Sequence, residues 1–140
     1  PPIDVLPSLS RLMNAGIGPE RTRPEHREWS DQLYATYARG REARTMAAIV
    51  GESGLPDLDR RALAFADRFE REFVGQPEGR RTLDETFEHG WTLRDALPRD
   101  DLVRMNDATL ETRRAILAQR DREAGSDLAP APASEPEPTT

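Results

Sequence analysis

DLDRRALAFADRFEREFV, residues 57–74, sets Phe65, Phe69 and Phe73 at intervals of four, with Ala62 and Ala66 beside them. Spacing of this kind puts three rings on one face of a helix, where a second helix can pack against them. Asp57 is placed to cap the N-terminus of this helix, and Gly75 to Gly79 is expected to break it. Arg60, Arg61, Arg68 and Arg71 interleave with Asp59, Asp67, Glu70 and Glu72, as on a solvated face of mixed sign. A base-stacking platform would need arginines on the ring face of a basic protein. The three phenylalanines are therefore read as core.

Upstream, Pro24 fits a first helical turn, and Glu25 and Glu28 follow it where acids favour a helix N-terminus. Trp29, Leu33 and Tyr37 recur at the same interval, widened by Tyr34 and Ala38. Gly40 is expected to bend or end this helix. Met46, Ala47, Ile49 and Val50 continue an apolar face as far as Gly51, a C-terminal glycine. Downstream, Thr82-x-x-Glu85 is a capping box. It opens a third helix with the stripe Leu83, Phe87 and Trp91, Leu93 and Leu97 close by, and Pro98 as its stop. Leu102, Val103 and Met105 predict a short fourth helix, and Leu110, Ile116 and Leu117 a fifth that faces little core. No segment alternates with period two.

The expected fold class is all-α: a bundle of three long helices plus short C-terminal helices. Residues 1–23 are an irregular connector, broken by Pro1, Pro2, Pro7, Asn14, Gly16, Gly18 and Pro19, with room for a helical turn or two over Ser8–Met13. Residues 24–122 form the helical domain. Residues 123–140 are a Pro/Ala/Glu-rich tail; from Gly125 onward Leu128 is its one large apolar residue, too little to offset the entropy of ordering, so disorder is expected.

Composition narrows the chemistry. The twenty basic residues are all Arg, and without Lys no Walker-type loop can reach the β- and γ-phosphates of a nucleotide. The net charge is −6; residues 121–140 hold five acids and one Arg, a net −4, which leaves −2 on residues 1–120. Neither part has the basic face that nucleic acid demands. There is no Cys, hence no disulfide and no thiolate metal site. No apolar run is long enough to span a membrane. His26 and His89 lack a second His at helical spacing, so they are read as structural rather than as metal ligands.

Five strings, in order, carry a family resemblance: PPIDVLPSLSRLMNAGIG (1–18), HREWSDQLYATYARGRE (26–42), AAIVGE (47–52), LAFADRFEREFVGQ (63–76) and TLDETFEHGWTLRDALPR (82–99). Together they resemble the C-terminal helical region of B subunits of vacuolar and archaeal-type rotary ATPases over residues 1–115; residues 116–140 depart from it. The S-x-S-R element is shared across the wider superfamily, whereas SDQLYATYARG, FADRFEREF and HGW resemble B subunits best.

The resemblance implies a part of a non-catalytic, regulatory subunit, cut from a nucleotide-binding domain that would precede residue 1. Such a subunit couples ATP synthesis or hydrolysis to proton or sodium transport from a soluble, membrane-peripheral sector on the cytoplasmic side, without inserting in the membrane. It implies that Arg11, the Arg of SLSR, is an arginine finger reaching in trans into the catalytic site of an adjacent A subunit. Ser8 and Ser10 hold the local turn, with Ser10 a second candidate for nucleotide contact. No cofactor is expected on the chain itself; Mg-ATP would lie at the interface with the catalytic subunit. The partners implied are A subunits in an alternating hexameric ring and the central rotor shaft. By analogy with a paralogous subunit, Glu52, Asp57 and Asp59 would touch the shaft. The alternatives are the C-terminal domain of an F-type alpha or beta subunit or of a secretion ATPase, separable by an intact upstream P-loop, and a free-standing helical interaction module without a nucleotide role.

Overall fold

A computed structural model describes residues 3–8, 13–76 and 79–126 of the chain. Every regular element among them is helical: α1 (Met13–Gly16), α2 (His26–Val50), α3 (Asp57–Arg68), α4 (Leu83–Asp95) and α5 (Asp107–Ser126). Short 3-10 turns lie at Glu52–Gly54 and Arg99–Asp101. The chain forms two units, Pro1–Asn106 and Asp107–Thr140. The all-α expectation holds for the described residues.

The first unit is built on an antiparallel hairpin of α2 and α3. Gly40 does not end α2: it is buried mid-helix, where a Cβ would stand 2.3 Å from the Ala62 carbonyl oxygen and 2.5 Å from the Ala66 Cβ. The missing side chain lets the backbone of α2 approach the backbone of α3 at Ala62. Gly90 serves α4 likewise, since a Cβ there would fall 2.2 Å from the Trp29 indole. Gly51 does end α2, at φ 77, with its N–H bonded to Ala47 O at 2.8 Å.

The aromatic column forms as its spacing demands. Phe65 and Phe69 stack at 5.8 Å between centroids, Phe69 and Phe73 at 5.0 Å, and Tyr37 joins from α2 at 5.1 Å. In an α-helix a step of four residues overshoots one turn, so such a row drifts sideways. Here Phe69–Val74 is a π-helical turn, sealed by the Gly75 N–H on Glu70 O at 3.0 Å. This wider turn undershoots on the same step and returns Phe73 over Phe69. Trp29 reaches across to Phe87 of α4 at 4.8 Å and to Phe73 at 6.1 Å.

Several expectations are corrected. Asp57 does not cap α3; it is the first helical residue, paired with Arg60, while Pro56 occupies the cap with no side-chain bond to offer. Leu83 is 54% exposed, because the first position of α4 precedes the packed face. Residues 102–105 are not a helix. They follow the 3-10 turn as a tight loop whose Leu102 and Met105 are buried, with Val103 79% exposed. Gln32, fully buried in α2, holds that loop by donating to Asp101 O (3.2 Å) and accepting from the Arg104 N–H (2.9 Å). The apolar run ending α2 also turns outward: Met46, Ile49 and Val50 are exposed, Ile49 at 82%. In the connector the described helical turn is Met13–Gly16, so Asn14 and Gly16, expected in loop, are helical; of the turn expected over Ser8–Met13, Leu9 to Leu12 lie outside the described residues.

The Thr82–Glu85 box is formed as read, with both reciprocal bonds present at 3.2 and 2.6 Å. In the second unit α5 is a single helix over which Leu110 is buried and Ile116 exposed. The tail expected to be disordered lies largely outside the described residues.

Candidate functional site

Two regions are of functional interest: the connector that leads to Arg11 and the turn between α2 and α3. Arg11 and Ser10 themselves lie outside the described residues. What precedes them does not. Residues 4–8 fold on themselves, with the Ser8 hydroxyl donating to Asp4 O and the Ser8 N–H to Val5 O at 3.3 Å, so Ser8 does hold a local turn. This block meets α2 twice. Tyr34 donates its hydroxyl to Leu6 O at 3.1 Å, and Arg41 Nη1 pairs with Asp4 Oδ1 at 3.2 Å.

Arg41 is the outer end of a polar chain. Its Nη1 also donates to the Tyr37 hydroxyl (3.2 Å), which is wholly buried and donates in turn to Glu70 Oε1 (2.9 Å). Arg44 closes the chain on Glu70 (3.0 Å) and Asp67 (2.6 Å). Burial opposes charge on Glu70, yet hydrogen bonds from Arg44 and Tyr37 hold its carboxyl below the ordinary carboxylate range. Burial likewise pushes the Tyr37 phenol up.

From Gly18 onward the chain is anchored again. Gly18 and Thr22 exchange bonds of 3.1 and 3.3 Å, and Thr22 Oγ1 meets His26 Nδ1 at 3.0 Å. His26 packs edge-on to Phe87 at 4.7 Å; burial lowers its pKa, with Glu25 opposing. Arg23 lies over the Phe87 ring and bonds Glu88 and Asp84 of α4, each at 3.1 Å. These contacts were not foreseen from the sequence, because a backbone acceptor such as Leu6 O carries no residue signature.

The α2–α3 turn separates its three acids. Glu52 is exposed in the 3-10 turn, and Asp57 is exposed beside Arg60. Asp59 instead pairs with Arg39 of α2 at 2.6 Å, its side chain 18% exposed. That pair borders an open groove of about 680 Å³ between α2, α3 and the loop after Leu97, with Ala35, Ala38 and Met46 among its lining. Leu55 fixes the turn, buried against Ala43 and Leu63. Among the described residues no group of three or more His, Asp or Glu could hold a metal ion. No helix among them is long and apolar enough to cross a membrane.

Comparison with known proteins adds an independent line. A family model described as the C-terminal domain of V and A type ATP synthase matches residues 15–114. The chain is 59% identical over 114 residues to the V-type ATP synthase beta chain of Anaeromyxobacter sp. (strain Fw109-5), which covers 81% of this chain and 25% of that one. It is 51% identical over 112 residues to the B subunit of the A-type ATP synthase of Methanopyrus kandleri, covering 79% and 11%. The solved structure of an ATP synthase subunit, NeqB, from Nanoarcheaum equitans is similar with a TM-score of 0.60 at 39% identity, over 70% of this chain and 24% of that one. The chain thus spans a quarter or less of the length of these curated relatives. With most of its length matched by that model, and with a solved relative of the same fold, the chain belongs to the family of C-terminal domains of V- and A-type ATP synthases.

Proposed function

We propose that the chain is the C-terminal helical part of a non-catalytic B subunit in a rotary V/A-type ATPase, and that Arg11 completes the catalytic site of an adjacent A subunit. The observation that carries the reading is 59% identity to a V-type beta chain, together with the SLSR string beside the matched domain. Phosphoryl transfer spreads negative charge over equatorial oxygens, and a planar guanidinium can bond two of them at once. The catalytic partner would supply Mg-ATP binding, and the assembly would couple turnover to proton or sodium transport. The exposed acids Glu52 and Asp57 would face the rotor shaft; Asp59, engaged by Arg39, would serve mainly to shape that turn.

The test is steady-state ATPase activity of the assembled complex. Arg11→Ala should lower kcat by roughly 10³–10⁵ without blocking assembly, the range known for arginine fingers. Arg11→Lys should rescue poorly, since an ammonium makes no bidentate contact. A loss of less than about tenfold would demote Arg11 to a structural residue.

A further inference from the structure

Resting on the reading that the α2–α3 turn faces the rotor shaft, we propose that the contact is carried by the last turn of α2 rather than by the acids beside it. Met46, Ile49 and Val50 fit a shaft helix whose apolar stripe is bordered by Lys or Arg. Met46 lies three residues before Ile49 and four before Val50, so the three share one face within a single turn. They are 50, 82 and 53% exposed. Scattered apolar residues on a surface need no partner, and the other large ones exposed among the described residues, Ile3, Leu83, Val103 and Ile116, stand singly along the chain. A contiguous trio at a helix end is the kind of surface that a partner covers.

The charges around the trio set the chemistry of that partner. Glu42, one turn before Met46, and Glu52, just past Gly51, are exposed and have no ion-pair partner among the described residues. Arg39 and Arg44 are committed elsewhere, to Asp59 and to Glu70 and Asp67. The last turn of α2 holds no basic residue, so the negative end of its dipole is unopposed. An apolar centre within an acidic border is complementary to an apolar stripe within a basic one. The trio is also held in place before any contact. A Cβ on Gly54 would stand 3.2 Å from Val50 Cβ and Cγ2, so the 3-10 turn already rests against Val50. The Gly51 N–H closes α2 on Ala47 O, and buried Leu55 pins the turn to Ala43 and Leu63. A surface fixed in advance loses little entropy on meeting its partner.

The experiment uses the assembled ring of A and B subunits, built with the full-length subunit, and the purified shaft subunit. With p-benzoylphenylalanine in place of Ile49, ultraviolet light should join the ring to the shaft, at an apolar residue with Lys or Arg within one helical turn. Ile49→Ala combined with Val50→Ala should weaken shaft binding about tenfold, at low and at high salt alike. Glu42→Gln combined with Glu52→Gln should weaken it by less than about threefold, and only at low salt. Val103→Ala, at a site nearly as exposed as Ile49, should leave binding unchanged. An adduct on any subunit other than the shaft, or none, means that the turn does not face the shaft, and the proposal falls with that reading. An adduct on the shaft with binding indifferent to the two alanines, lost mainly through the two glutamates, or lost equally through Val103→Ala overturns the apolar contact alone.

Discussion

The α-carbon of Gly40 faces the Ala62 carbonyl oxygen so closely that a Cβ would stand 2.3 Å away. The contact is to backbone and cannot be relieved by a rotamer change. Gly40→Ala should therefore destabilise the fold by about 2 kcal/mol through overpacking, although Ala favours helix by roughly 1 kcal/mol over Gly. Thermal unfolding followed by circular dichroism would show the midpoint lowered by about 10 °C. Gly16→Ala, where nothing lies within 4 Å, is the control and should not lower it. A stabilised Gly40→Ala protein would mean that α2 and α3 can part freely.

The reciprocal cap at Thr82 and Glu85 starts α4 at an exposed site, so its loss should be felt locally. Thr82→Ala is expected to reduce stability by about 1 kcal/mol. Denaturant titration should give a lower midpoint at an unchanged slope. An unaltered midpoint would show that packing of Phe87 and Trp91 alone determines where α4 begins.

Acid should weaken the protein in two stages. Burial, partly countered by Glu25, holds the pKa of His26 below its ordinary 6.5, so the unfolded chain binds the proton first and stability declines as pH falls from 6.5 through the folded value. For Glu70, burial alone would raise the pKa, but bonds from Arg44 and Tyr37 bring it below the ordinary 4.5; its contribution is present above that value and lost as pH falls through the folded one. Unfolding midpoints measured from pH 8 to pH 3 should show both declines. His26→Phe should remove the first and leave the second. An identical profile in that variant would count against the assignment.

For the α2–α3 turn, neutralising Glu52 and Asp57 should leave ATP affinity unchanged and alter coupling only mildly, as exposed pairs contribute on the order of 0–1 kcal/mol. Asp59→Asn should act on stability instead, by breaking the Arg39 pair. A shorter Gly-Ser turn that keeps buried Leu55 should reduce torque more than the charge changes do. Single-molecule rotation separates these cases, and normal torque from the shortened turn would exclude it as a shaft contact.

Where a residue's chemistry is local, its role was legible from the chain alone. Thr82 and Glu85 bond within one turn, and the Phe65–Phe69–Phe73 interval is a property of one helix. What escaped depends on partners distant in sequence. Gly40 and Gly90 look like helix breakers until Ala62 and Trp29 are known to press on them. Asp57 looks like a cap until Pro56 is found in that place. Ile49 and Val50 continue an apolar pattern, yet both are exposed in the last turn of α2. Of the site, the string around Arg11 was legible as a family mark, whereas the Tyr34–Leu6 bond was not, since carbonyls are the same in every residue.

The run of contacts from Asp4 through Arg41, Tyr37, Glu70 and Arg44 to Asp67 uses guanidinium as its only cation. Guanidinium keeps its proton beyond pH 12, whereas an ammonium would begin to lose it near 10.4. In alkali the weak member is therefore Tyr37, whose buried phenol resists ionisation relative to the unfolded chain. Stability from this phenol is complete below about pH 10 and drains away above it. Within this run of contacts the alkali-sensitive group is one tyrosine hydroxyl, and reagents that acylate lysine amines can neutralise none of its charges.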